Sequence, residues 1–351
     1  MTLLPVEDLS FTVVVLAFLA AAGVIAFAGT ALTRRADVFA DRSGIGEALV
    51  GAILLGGMTS LAGVVTTLTA AAHDHPTLAV GNAIGGIAVQ TLFLAVADLA
   101  YRPANLEHAA ASIGNLFNAG LLLALLVLLL AVVATPAVTL AGAHPGSYLV
   151  FVAYGCGIAA ARKARADPMW LPTRTAETVS DEPDDSSGGE SMTRIVLSLT
   201  GLGLAVAAAG WTVSITGAEI SRRTALGDSF VGSLFMAIAT SLPELVVSVQ
   251  AVRRGALTLA VANIVGGNSF EVLVVAGADF VYRDGSLLHS SSTEQGFVIA
   301  LTALLMSVLL LGLLSRQREG PGGIGWEGWL IAALFLAGYT ILFFMSGAPL
   351  G

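Results

Sequence analysis

A chain of 351 residues with 56% hydrophobic and only 11% charged residues is too poor in charge for a soluble domain, where about 25% is usual. Its net charge of −8 and lack of basic clusters exclude a nucleic-acid footprint. The single cysteine, Cys156, excludes an intrachain disulfide and, lying in an apolar run, reads as a small buried residue.

Apolar segments fall at about 10–33, 45–72, 77–100, 109–135, 146–161, 194–217, 228–252, 257–282, 295–315 and 325–346. Most approach the roughly 20 residues that a helix needs to cross a bilayer. They are too long, and too free of alternation, for barrel strands. The first residues carry Glu7 and Asp8 but no Lys or Arg. A cleaved signal peptide wants a basic start, so the first segment reads as a retained span. The second, third, seventh and eighth segments are rich in Gly, Thr, Ser and Asn and are kept because the topology needs them. Placing the N-terminus outside puts thirteen Lys and Arg inside and leaves Arg222, Arg223 and Arg283 outside, the bias that the positive-inside rule demands. The one long polar stretch, 162–193, then lies in the cytoplasm; its acidic, Ser- and Gly-rich second half reads as a disordered connector. The location implied is a prokaryotic-type plasma membrane.

Residues 59–102 align with 240–283 without a gap, with 18 of 44 positions identical. Asn82 meets Asn263, Gly85-Gly86 meets Gly266-Gly267, Asp98 meets Asp279, and Tyr101-Arg102 meets Tyr282-Arg283. The copies start five spans apart. Five is odd, so they run in opposite directions across the membrane, as in secondary transporters with a midplane site. The fold expected is all-α integral membrane: ten helices as two inverted five-helix repeats. They occupy 1–161 and 194–351, joined by the linker at 162–193.

An ionisable residue deep in a span is a functional hypothesis by default. Glu244 and Glu271 are the two clear cases, each well inside an apolar segment. Thr240 and Glu244 share a helical face. Pro243 between them frees a backbone carbonyl and suggests a broken helix. Carbonyl, hydroxyl and carboxylate oxygens suit Na⁺ or Ca²⁺. Asn263, Gly267 and Glu271 form a second stripe, and Gly266-Gly267 reads first as a place where two helices pack closely. Glu244 is matched in the first copy by Gly63, and Glu271 by Gln90, so the site is asymmetric.

At these residues the chain resembles the calcium/cation antiporter superfamily, the sodium/calcium exchangers and their prokaryotic relatives. Ala-Thr-Ser-Leu-Pro-Glu at 239–244 is similar to the family's G-T-S-L-P-E motif. Ala-Asn-Ile-Val-Gly-Gly-Asn-Ser-Phe-Glu at 262–271 is similar to its G-N-x-x-G-S-N-x-x-[ND] motif. The resemblance implies that Thr240, Ser241, Glu244 and Glu271 are cation ligands and that Thr59, Ser60 and Gln90 complete the cage. It also implies that the first and sixth spans slide against the rest to alternate access. The first copy departs from the pattern: Met58 to Gly63 lacks the Pro and the Glu, and the family's Ser ligand positions are Gly86 and Gly267 here.

The function expected is Ca²⁺ exchange against Na⁺ or H⁺. The partners are inorganic cations and the lipid bilayer, and no cofactor is called for beyond the transported Ca²⁺ and/or Na⁺. The alternatives are the same fold moving another cation, or a transport-dead sensor or partner subunit. Nothing in the sequence sets the oligomeric state. No nucleotide motif or nucleophile–base set is present, so the chain is not expected to be an enzyme. His73-Asp74-His75 reads as a loop rather than a metal site. Asp98 and Asp279, each followed by Tyr and Arg, read as local ion pairs or span terminators. Trp326 and Trp329 suit an interfacial belt.

Overall fold

The computed structural model describes residues 6–43, 60–101, 103–110, 112–176, 178, 191–224 and 226–346. Among them every long element is helical, and the one β contact is an isolated bridge between Leu140 and Ala143. α1 (Phe11–Val24) runs through a π-helical turn (Ile25–Gly29) into α2 (Thr30–Ser43). The Ser10 side chain caps α1 by accepting from the Val13 amide. α3 (Leu61–Ala72), α4 (Pro76–Asp98), α5 (Ile113–Val133) and α6 (Pro145–Ala166) follow. Pro76 and Pro145 open their helices at positions whose N–H has no helical partner anyway.

After the linker come α7 (Met192–Arg223), a second π turn (Val231–Met236) leading into α8 (Ala237–Arg253), then α9 (Leu257–Val281), α10 (Glu294–Ser315) and α11 (Trp326–Met345). Single helical turns at Leu106–Ala109 and Leu287–Ser290 follow α4 and α9. Eight helices among the described residues are long and apolar enough to cross a membrane. Of the other two expected spans, the fifth is α6. The second is represented by α3, and the earlier part of 45–72 lies outside the described residues. The acidic second half of the linker also lies outside them, apart from its last residues.

Two of the segments rich in Gly, Thr, Ser and Asn, α4 and α9, are the most enclosed of the eight. Within its span, 89% of α4 is buried and 67% of α9, against 22% for the spans of α1 and of α7. A lipid-facing helix must be apolar all along its outer face, whereas an enclosed one can carry Asn, Gln and Glu. The outer helices expose large apolar side chains such as Leu19, Phe27, Leu204 and Leu336, a surface matched to hydrocarbon. Cys156, expected to be buried, is exposed on α6. A small apolar residue satisfies a lipid face as well as a core, and composition does not separate the two.

α1 packs along α7, α7 along α3, and α4 touches α8, α9 and the second π turn. Gly85 permits the closest of these approaches: a Cβ there would overlap the Ser233 backbone. Tyr339 braces the same turn, its hydroxyl donating to the Ser233 carbonyl at 2.8 Å. The first π turn meets α8 where Gly29 lies against the Pro243 ring, a Cβ at 29 coming within 2.5 Å of Pro243 Cγ. Pro243 itself does not interrupt α8, which is continuous from Ala237 to Arg253. The irregular turn expected at the proline lies upstream of it instead. α8 begins as a π helix, and Thr240 Oγ1 donates back to the Met236 carbonyl at 3.0 Å.

The connections sort onto two ends. At one end the Asn105 amide donates to the Arg318 carbonyl, and the start of the linker docks here as well. His108 meets Thr175 Oγ1 at 3.0 Å, and the Arg316 guanidinium donates to Thr178 Oγ1 at 3.2 Å and to the Thr173 carbonyl. At the other end Arg223 donates to the carbonyls of Glu7 and Leu9, both at 2.7 Å, and His289 meets the Thr135 carbonyl at 2.7 Å.

Candidate cation site

The enclosed helices α4, α8 and α9 bring polar side chains to one place. Gln90 of α4 is fully buried and donates from Nε2 to Glu271 Oε1 on α9 at 2.7 Å and to Ser241 Oγ on α8 at 3.2 Å. Glu244, one helical turn beyond Ser241, is 2% exposed and close enough for its charge to act on that of Glu271. Thr240 Oγ1 reaches Asn82 Oδ1 of α4 at 3.2 Å. Asn82 in turn donates to Thr67 Oγ1 at 2.9 Å and to the Gly63 carbonyl at 3.3 Å, tying α3 to the group.

The hydrogen-bond balance of this cluster is one-sided. Both Glu244 oxygens, Glu271 Oε2 and Gln90 Oε1 are buried without a donor, and so is the Ser60 hydroxyl at the start of α3. Buried polar groups are ordinarily satisfied, and an unpaired buried charge is costly. No salt bridge involving Glu244 or Glu271 is seen among the described residues. An enclosed set of acceptors with carboxylates among them is the electrostatic complement of a cation with oxygen preference.

Of the ligands implied by the resemblance, Gln90, Ser241 and Glu271 are joined directly, while Thr240 bonds to Asn82, whose other partners are Thr67 and Gly63. Glu244 faces Glu271. Ser60 is 1% exposed but makes no hydrogen bond to the others. Thr59 lies outside the described residues. Two polar residues were not singled out from the sequence. Ser248 and Asn268 are fully buried, and Ser248 Oγ and both polar atoms of the Asn268 side chain lack partners. Their signal was periodicity: Ser248 stands four residues after Glu244, and Asn268 three before Glu271.

Among the described residues, a Cβ at Gly266 or Gly267 would meet nothing within 4 Å. In the first copy, Gly86 leaves room for the acid, since a Cβ would stand 2.7 Å from Glu271 Oε2. At Gly63, a Cβ would stand 3.9 Å from Glu271 Oε1. The Glu271 side chain thus reaches across to the first copy and approaches the position that matches Glu244. An aspartate is one methylene shorter and would reach less far.

Other sequence features resolve plainly. Asp98 Oδ1 accepts from the Leu106 amide at 2.6 Å and Oδ2 from the Gly325 amide at 3.2 Å. Asp279 Oδ1 accepts from the Leu287 amide at 2.6 Å, and its Oδ2 takes the His144 amide at 2.7 Å and the Ser147 hydroxyl at 2.6 Å. Both terminate their spans by capping the backbone of other elements. His73 and His75 line a cavity of about 460 Å³ together with Glu7, Asp8, Glu219 and Arg222. Among the described residues, no three His, Cys, Asp or Glu side chains come together to hold a metal ion. The central site therefore depends on two carboxylates supplemented by hydroxyl and amide oxygens. The indoles of Trp326 and Trp329 are partly exposed at the start of α11, as a belt requires, donating to Ser315 Oγ and the Pro321 carbonyl.

Comparison with known proteins places these features in context. The family described as sodium/calcium exchanger protein matches residues 13–157 and 193–346, leaving out the linker. The inner membrane protein YrbG of Escherichia coli K12 is 25% identical over 326 residues, 92% of this chain and 94% of its own. A putative antiporter, CaxA of Alkalimonas amylolytica, is 33% identical over 148 residues, 41% of this chain and 44% of its own. Among solved structures, an H⁺/Ca²⁺ exchanger, CAX, superposes with a TM-score of 0.65 at 12% identity, covering 95% of this chain and 85% of that one. The sodium-calcium exchanger NCX_Mj superposes with a TM-score of 0.60 at 16% identity, covering 94% and 99%. These likenesses establish a shared fold.

Proposed function

Starting from a chain that belongs to the sodium/calcium exchanger protein family, we propose that it is a secondary active antiporter exchanging Ca²⁺ for Na⁺ or H⁺ by alternating access. It is a multi-pass membrane protein and a transporter, not an enzyme. The observation that carries the reading is the donor-poor cluster around Glu244 and Glu271. Its two carboxylates supply the charge to neutralise one divalent cation, and Gln90, Thr240, Ser241, Thr59 and Ser60 supply further oxygens.

The proposed frame is two five-helix repeats of opposite orientation, 1–161 and 194–351, joined by a cytoplasmic linker at 162–193. Element starts support it. α4, the turn at Leu106, α5 and α6 begin at 76, 106, 113 and 145; α9, the turn at Leu287, α10 and α11 begin at 257, 287, 294 and 326. Each difference is 181, the separation of the hydrogen-bonded pair Gln90 and Glu271. Two equivalent residues can touch only near an axis relating the repeats, and that bond supports a site on such an axis. The capping bonds of Asp98 and Asp279 recur at the same spacing, at Leu106 and Leu287 and at Gly325 and His144. On this frame the linker end is cytoplasmic, the first residues are outside, and α1 and α7 are the pair that slides.

The test is radiolabelled Ca²⁺ uptake into proteoliposomes under an opposing Na⁺ or H⁺ gradient. Gradient-driven uptake is expected in wild type and its loss in Glu244→Gln, which keeps shape and removes charge. Absence of uptake by wild type under either gradient overturns the Ca²⁺ reading and moves the assay to other cations.

A further inference from the structure

A second set of acids lies at the end where the linker docks, away from the central site. Asp98 at the end of α4, Glu107 in the turn after it and Glu327 in the first turn of α11 are 1%, 2% and 0% exposed. Asp98 accepts from two backbone donors, Leu106 and Gly325, which favour its charged form against the cost of burial. Glu327 folds over Gly312 and Gly325, where any Cβ would overlap its side chain. Its two oxygens have no donor, nor has Glu107 Oε2. Glu107 follows Leu106, and Glu327 stands two residues beyond Gly325, the two residues whose amides hold Asp98, so the three acids gather at one corner.

The other end of the molecule shows what the cap alone requires. Around Asp279, the positions equivalent to Glu107 and Glu327 are Leu288 and Gly146, and the extra donor is the Ser147 hydroxyl. The two additional glutamates are thus not needed to close a span. The neighbouring charges are committed elsewhere. The His108 ring meets the Arg316 carbonyl at 2.7 Å and the Thr175 hydroxyl at 3.0 Å. The terminal nitrogens of Arg316 serve the linker and the His108 carbonyl, and its Nε has no partner among the described residues. Arg318 and Glu319 are largely exposed and 3.9 Å apart. Arg165 lies over Gly114 at the start of α5, and Arg253 and Arg254, ahead of α9, are exposed. The side chain of Arg102 is outside the described residues.

We propose that Glu107 and Glu327 form a proton-binding site, in which Glu107 retains a proton and donates it to the Glu327 carboxylate, fastening the start of α11 to the turn after α4. Two ionised carboxylates cannot donate to one another; a single retained proton supplies the missing donor and removes one of the buried charges. Burial first, and then the charges of Asp98 and Glu327, hold the Glu107 carboxyl well above the ordinary carboxylate range. An acid raised in this way gives stability at low pH that is lost as pH rises from the ordinary value of about 4 through its folded-state value. The pair is therefore released by alkalinisation at the end where it sits.

The experiment compares full-length wild type with Glu327→Gln, Glu107→Gln and the double variant, using two readouts that do not depend on cation transport. Infrared spectroscopy at neutral pH follows the protonated-carboxyl C=O band, and melting temperature is followed from about pH 6 to pH 9, above the ordinary carboxylate range. The band is expected to lose one carboxyl in Glu107→Gln and to shift in Glu327→Gln, where the acceptor of its hydrogen bond is changed. The fall of melting temperature with rising pH is expected to be shallower in the double variant, because the amide replaces the protonated acid without titrating. A band and a pH slope identical to those of wild type in all three variants overturn the proposal. If a variant does not fold, wild type in H₂O and D₂O gives the second measurement. A band with no isotope-shifted carboxyl beyond those removed in Glu244→Gln and Glu271→Gln has the same overturning force.

Discussion

Glu271 and Gly86 make sense only together. The acid extends from α9 until its Oε2 lies 2.7 Å from where a side chain at 86 would begin, and its Oε1 is held by Gln90. Gly86→Ala is therefore expected to displace the carboxylate and to lower Ca²⁺ affinity by about 10- to 100-fold, the range seen when support around a metal ligand is disturbed. Adding Glu271→Asp shortens the reach by one methylene. The double variant should recover part of the affinity lost by Gly86→Ala, because residues in contact do not act additively. Ca²⁺ titrations of the four proteins check this. Additive losses would show that the two positions do not meet. At this scale Glu244 and Glu271 were legible from the sequence because charge inside an apolar span is rare. The contact between Gln90 and Glu271 was not, since an alignment pairs equivalent residues without saying that they touch.

At the scale of elements, the enclosed helix α4 is placed by its small residues. Gly81 and Gly85 let it lie against the second π turn, with a Cβ at 81 standing 3.1 Å from the Ser233 amide nitrogen. Gly85→Ala would press a methyl into the Ser233 backbone, which cannot rotate away as a side chain can. We expect destabilisation of about 1–3 kcal/mol or more, the cost of overpacking, read as a lowered melting temperature in detergent. An unchanged melting temperature in Gly85→Ala would contradict the packing described. The Gly-Gly pair is the same in both copies of the sequence, and that Gly85 abuts backbone is seen only in the structure. The partner α4 meets is a π turn, and the sequence carries no mark of such a turn beyond apolar composition. The proline at 243 drew attention to the correct helix but to the wrong irregularity. A proline removes one backbone donor, whereas the extra residue per turn in 231–236 is imposed by packing against Gly85 and Tyr339.

For the molecule as a whole, the proposed site binds its cation only when α4, α8 and α9 are assembled. A specific ligand must then stabilise the fold as mass action requires, by about 2.7 kcal/mol at a hundredfold excess over Kd. Ca²⁺ is expected to raise the melting temperature of purified wild type and to leave that of Glu244→Gln unchanged. An equal shift in both would mean that Ca²⁺ binds elsewhere.

What the sequence determined by itself follows from the bilayer and from periodicity. Long apolar runs have one solution in hydrocarbon, the helix, because every backbone donor must be satisfied within its own segment. Self-similarity in register and two acids in otherwise apolar runs were likewise plain to read. The tertiary structure decided what depends on which faces meet. It placed Cys156 on an exposed surface and α4 in the interior, set Gly85 against the Ser233 backbone, and made Asp98 and Asp279 caps for distant backbone. It also gathered Glu107 and Glu327, each unremarkable near a span end, beside Asp98. Helical periodicity tells which residues share a stripe, but the neighbour that stripe faces is set by the packing of all the helices at once.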